Sequence, residues 1–118
     1  MTDRTRLRER YLRDNWTRQV GNLASTLARL SSRASDARHD PMVADLLHEG
    51  TLLMEWSAPN VPPDLAVDLA TMQRELLLWR RIWPNDAVRS LLAFRARAMS
   101  DRLLEASGLR SFSVAAPR

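Results

Sequence analysis

Large apolar residues recur along this chain at steps of three and four, the spacing that lines one face of an α-helix. Between Asp64 and Trp83 they are Leu65, Leu69, Met72, Leu76, Trp79 and Trp83, six bulky groups on one face of a helix roughly 30 Å long. Asp68, Thr71, Gln73, Glu75 and Arg80 fall on the other side and are expected to face water. A second seam of the same period runs through Trp16, Val20, Leu23, Leu27, Leu30 and Ala34, and the two seams are expected to be mates. Small residues Gly21, Ala24, Ser25 and Ala28 lie beside the second seam and let a partner backbone approach closely. No strand-like alternation runs long enough to count. The expected architecture is all-α: an antiparallel bundle of four main helices, with dimerisation as a way to complete it.

Caps and breakers divide the chain further. Asp14 is a candidate N-cap of the helix that runs to about Ser35, so the basic arm is either a separate short helix or a continuation of that one, and residues 35–39 read as a turn. Asp40-Pro41 signals a new start, with Asp as N-cap and Pro in the first turn. Val43, Leu46, Leu47, Leu53, Met54 and Trp56 then give a wide apolar face that should touch two neighbours. This helix should stop near Ser57, because Pro59 disfavours helical geometry at Ala58. Pro59, Pro62 and Pro63 make residues 58–63 a rigid, extended connector, after which Asp64 caps the organising helix. Asn85 or Asp86 opens the last helix. It places Val88, Leu92, Ala96, Met99, Leu103 and Ala106 on one face, with Leu91, Phe94 and Ala98 adjoining. Ser107-Gly108-Leu109 has the form of a Schellman ending, Gly108 in the left-handed region and Leu109 folding back. The expected divisions are a basic arm over 1–13, one bundle domain over 14–109 and a flexible tail over 110–118.

Composition narrows the function classes. The chain has 118 residues and no cysteine, which excludes disulfides, thiolate catalysis and Cys-ligated metal. No apolar run is long enough to cross a bilayer, and the N-terminus lacks the apolar stretch of a secretory signal. A cytoplasmic protein without a membrane partner is therefore expected. All eighteen basic residues are Arg. Residues 1–38 hold nine Arg against four acids, residues 39–75 one against seven, and residues 76–118 eight against three. An acidic centre flanked by two basic thirds is self-complementary, within one bundle or between two copies.

Few residues point to chemistry. Arg4, Arg6, Arg8, Arg10 and Arg13 crowd the basic arm and suit an anionic partner or the chain's own acidic helices. Trp79, Arg80, Arg81 and Trp83 combine aromatic and basic groups in the manner of nucleic-acid binders, although both Trp belong to the apolar seam. Glu55, beside Trp56, is either paired with an Arg or exposed on a polar stripe. His48 stands at helical spacing from Asp45 and Glu49, but a bundle metal centre needs matching ligands from other helices, and the second histidine, His39, falls in a turn. No nucleophile, base and orienter come together, and no phosphate or dinucleotide loop is present. The expectation is a non-enzymatic interaction or regulatory module without cofactor or metal, self-associating as a homodimer. Its candidate surface is Arg4, Arg6, Arg8, Arg10, Arg13, Arg80, Arg81, Glu55 and Trp56. The alternative is association with nucleic acid through the arm, aided by Arg80, Arg81, Arg95 and Arg97.

Arg10 to Asp14, Val20 to Leu30, Leu46-Leu47 with Glu55-Trp56, and Leu76 to Trp79 together resemble small helical proteins of unknown function from cyanobacteria. The resemblance spans about two-thirds of the chain. It implies a helical fold and a source, and carries no functional residue across.

Overall fold

In α2 (Trp16–Arg33) the seam residues Val20, Leu23, Leu27 and Leu30 are fully buried, as is Ala34 just beyond the helix, while Trp16 is half-buried. The residue that starts α2 is Asn15, not Asp14: its side-chain oxygen accepts from the Arg18 amide at 3.0 Å. Asp14 instead closes the preceding helix, α1 (Asp3–Leu12), through its backbone. The computed structural model describes residues 3–108. The tail over 110–118, and the contact expected of Leu109, lie outside the described residues. Three further helices follow: α3 (Asp40–Ser57), α4 (Pro63–Ile82) and α5 (Arg89–Ala106). The protein is all-helical, with no strand among the described residues.

Several expected starts shift by a few residues, each for a local reason. Asp36 caps a short 3-10 turn (Ala37–His39), so the residue flanking α3 is His39, and Asp40 is already helical. The Asp40 carboxylate is left free to bond Arg89. Residues 58–63 are not wholly extended, because Ala58–Asn60 form another 3-10 turn. Pro62 flanks α4 and Asp64 lies in its first turn, where a carboxylate favours the positive end of the helix dipole. Asn85 caps a third such turn (Asp86–Val88) by accepting from Ala87, and α5 proper begins at Arg89. Gly108 has φ 87° and its amide bonds the Glu105 carbonyl at 3.1 Å, one of the two bonds of a Schellman ending.

α2 lies between α5 and α3, and α3 lies between α2 and α4. The α2 and α4 seams are therefore not direct mates; both bury into the core from opposite sides of their shared neighbours. Of the small residues of α2, Ala24 meets α5, and Ser31 near the end of the helix does too. Ser100 donates to the Ala24 carbonyl at 2.8 Å, and Ser31 to the Ala93 carbonyl at 2.7 Å. Hydroxyls reach across to backbone in this way only where two helices pack closely, and the pairs Ala24–Ser100 and Ser31–Ala93 run in opposite senses, so α2 and α5 are antiparallel. α3 and α4 pack closely at Gly50, where an added Cβ would stand 2.9 Å from Leu76 Cδ1. By contrast α4 and α5 approach each other at few points. The molecule measures 41 × 40 × 21 Å, about two helix layers thick.

Tyr11 is the buried side chain that fastens α1 to the rest, and Arg4 adds a contact to His48. Tyr11 is 5% exposed and its ring packs against Trp56 at 5.9 Å. Its hydroxyl donates to the Gln19 carbonyl at 2.7 Å, so Ser57 must donate to the phenolic oxygen. The Gln19 amide donates to the Asp14 and Tyr11 carbonyls, at 2.9 and 3.3 Å, and so caps the end of α1.

Candidate interaction surface and the His48 cleft

The helix register decides which charges of the acidic centre find partners. On α4, Asp68 and Glu75 are seven residues apart and share a face, as do Arg95 and Arg102 on α5. Arg95 makes a two-pronged bond to Glu75 at 2.8 and 2.9 Å, and Arg102 reaches Asp68 at 2.6 Å. Trp79 also donates its indole N–H to Glu75, at 3.2 Å. The Glu75 carboxyl is held below its usual range, first by the Arg95 hydrogen bonds and then by the Trp79 donor, against an opposing cost of burial. Asp68 and Glu75, expected to face water, thus bridge two helices.

Beneath these bridges the α4–α5 seam is not closed. A cleft of about 250 Å3 remains, lined on α4 by Asp68, Thr71, Met72 and Glu75 and on α5 by Arg95, Ala98, Met99 and Arg102. Apolar groups flank it on the outside. Val67 is 66% exposed, Leu78 58%, Ile82 48%, Leu91 52% and Phe94 66%. The ion pairs set the register, so Leu78 and Ile82 of α4 stand level with the Leu91 end of α5. Helical spacing turns Val67, Thr71, Leu78 and Ile82 toward the same side. The result is one apolar stripe along the loose seam.

Arg89 organises the end of this helix pair where α4 finishes and α5 starts. It binds Asp40 through two bonds at 2.6 and 2.9 Å, Asp86 at 2.7 Å and the Ala34 carbonyl at 3.3 Å, and it lies 5.0 Å over the Trp83 ring. Trp83 in turn donates its indole N–H to the Asp40 carbonyl at 3.3 Å. One guanidinium thereby joins the ends of α2, α3 and α4 to the start of α5. The hydrogen bonds from Arg89 hold the Asp40 carboxyl below its usual range. No sequence pattern marked Arg89, since its role comes from four groups spread over residues 34–86.

No protein family, curated protein or solved structure matches this chain.

The residues singled out in the sequence are distributed unevenly. Arg6, Arg8, Arg10 and Arg13 are exposed on or beside α1, and Arg80 and Arg81 are exposed on α4. Glu55 is exposed, on the polar stripe, and forms no ion pair among the described residues. Trp56 is only 7% exposed and belongs to the core beside Tyr11, so it contributes nothing to an outer surface. Arg95, considered for nucleic acid, is spent on Glu75. Arg4 reaches His48, its Nη2 lying 2.7 Å from the imidazole Nε2. His48 lines a cleft of about 310 Å3 with Ala44, Asp45, Leu47, Arg80 and Trp83. Burial, then Arg80 and Arg4, push the His48 pKa below its usual value, with Asp45 acting in the opposite direction. Among the described residues no three His, Asp or Glu side chains come together as metal ligands, so Asp45, His48 and Glu49 form no such group.

Proposed function

We infer that this chain is a non-enzymatic helical interaction module that pairs with a second copy of itself, and that the second copy covers the α4–α5 face. On this reading α2 to α5 form an antiparallel bundle left open along one seam, and dimerisation closes it. The apolar stripe along that seam carries the inference. At about 150–200 Å2 for a fully exposed side chain of this size, the five exposed groups leave roughly 500 Å2 of apolar surface in water. A standard interface takes about 800 Å2 from each partner, somewhat more than half of it apolar. The stripe therefore matches the apolar share of one protein–protein interface. Charge favours a second copy as occupant, because Glu75 with Arg95 and Asp68 with Arg102 neutralise the seam in pairs. These four paired charges add no like-charge repulsion where two such faces meet. A module that works by pairing fits the cytoplasm, and no described helix is long and apolar enough to cross a membrane.

Sedimentation velocity over about 1–100 μM tests this, a range that brackets micromolar dimers. The wild type should move from monomer to dimer. Leu78→Glu with Phe94→Glu should remain monomeric with an unchanged helical circular dichroism spectrum, since both positions are exposed. A wild type that stays monomeric throughout overturns the reading.

A second reading has one observation in its favour. Arg6, Arg8, Arg10 and Arg13 are exposed and form no ion pair among the described residues, which suits phosphate contacts with nucleic acid. Replacing these four by Gln leaves Tyr11 in place. It should flatten the salt dependence of a gel shift if that reading holds.

A further inference from the structure

The two ends of α1 are held differently. Tyr11 is the one buried residue between Arg4 and Leu12, and Arg4 to Arg10 are all exposed. Among the described residues, the hydrogen bond that leaves these first turns for another element runs from the Arg4 guanidinium to His48 of α3, Nη2 to Nε2 at 2.7 Å. A guanidinium only donates, so Nε2 accepts, and the imidazole is neutral with its proton on Nδ1. That second nitrogen is buried and has no hydrogen-bond partner.

The surroundings of the ring suit its neutral form. Arg80 of α4 and Arg4 of α1 act on it as cations, and Asp45, three residues back on α3, is the acid that opposes them. Glu49, the next residue, is turned to α2, where it meets Thr26 and Arg29. Trp83, beyond α4, lies beside the ring's cleft and brings no charge. A protonated ring would direct Nε2–H at a guanidinium and keep Nδ1–H buried without an acceptor. It would also set a third positive charge beside one carboxylate. Burial, then Arg80 and Arg4, accordingly hold the His48 pKa below its usual value.

We propose that Arg4 and His48 form an acid-released latch: protonation of the imidazole expels the Arg4 guanidinium and frees the first two turns of α1, while Tyr11 keeps the end of the helix in place. So short a segment does not stay helical by itself, since isolated helices below about 12 residues are marginal in water. Release therefore frays residues 4–8 and lets Arg4, Arg6 and Arg8 move off α3. The docked form needs a neutral ring. The latch is complete above the ordinary histidine value of about 6.5 and is lost as the pH falls through the lower value of His48. It joins α1 to α3 and does not depend on pairing through the α4–α5 face.

Nuclear magnetic resonance on the full chain tests it between about pH 7.5 and 5, where Asp and Glu stay charged. The His48 ring C–H gives the pKa, and the Cα shifts of Thr5 to Arg8 report the helicity of the first turns. Those Cα shifts should move toward coil values with their midpoint at the His48 pKa. Linkage is reciprocal, so Arg4→Ala should raise the His48 pKa. The factor by which it changes the acid dissociation constant should equal the factor by which acid opens the turns, about three- to tenfold for one hydrogen bond. His48→Gln has no proton to gain and should leave the Cα shifts flat over the range. Flat shifts in the wild type, an inflection that survives in His48→Gln, or a His48 pKa unmoved by Arg4→Ala overturns the proposal.

Discussion

Tyr11 allows the docking of α1 to be tested with one absorbance measurement. It is the sole tyrosine of the chain, so the absorbance of its phenolate reports this residue alone. Burial among Trp56, Gln19 and Ser57 raises its pKa to about 12, and the nearby Asp14 carboxylate adds to the effect, while the Ser57 hydrogen bond works against it. In the unfolded chain the value is about 10. The folded protein therefore holds this proton more tightly than the unfolded one. The corresponding stability is complete below pH 10 and is lost as the pH rises from 10 to 12. A two-unit difference corresponds to roughly 2–3 kcal/mol. Phenolate absorbance should be titrated in buffer and in denaturant, with helicity followed by circular dichroism in parallel. The native midpoint should lie well above the denatured one, and denaturant midpoints should fall between pH 10 and 12. Tyr11→Phe should remove that alkaline decline at a cost of about 1 kcal/mol near neutral pH. A native midpoint near 10 with helicity intact would show the phenol in water and α1 undocked.

Three further predictions concern packing and the Arg89 junction. Gly50→Ala gains helix propensity of about 1 kcal/mol but drives a Cβ against the Leu76 methyl, and overpacking costs about 1–3 kcal/mol. The urea midpoint should fall modestly. In the same assay Leu76→Ala, expected to cost about 2–5 kcal/mol alone, should cost less in the Gly50→Ala background, because the cavity takes up the new methyl. Arg89→Ala should lower the urea midpoint more than Arg102→Ala, since it breaks contacts to four elements instead of one. Arg89→Lys should recover only part of the loss, because an ammonium cannot make the two-pronged bond to Asp40.

What the sequence made legible was which face of each helix is buried. The period of three and four located the α2 and α4 seams, and the proline before Asn60 placed the end of α3. Period says nothing about which seam faces which, so α2 and α4 read as mates when α5 and α3 are the true neighbours of α2. Cap positions slipped because 3-10 turns before α3 and α5 supply their own caps, Asp36 and Asn85, and release Asp40 for Arg89. Gln19, Thr26 and Ser100 are polar residues on apolar faces, at positions the helical period already marked. They could have been flagged as buried hydrogen-bonding groups. The junction at Arg89 and the orphan nitrogen of His48 had no such signal, since both arise from groups brought together by tertiary packing.

Pairing through the α4–α5 face is best tested by distance. The chain has no cysteine, so a single Thr71→Cys on that face accepts one spin label without competing sites. A dimer closed there should give an intermolecular dipolar distance within about two helix diameters, roughly 25 Å. A label at Ser32→Cys, exposed at the end of α2, should give a longer one. A dimer in which the Ser32 label shows the short distance and the Thr71 label does not would contradict the account.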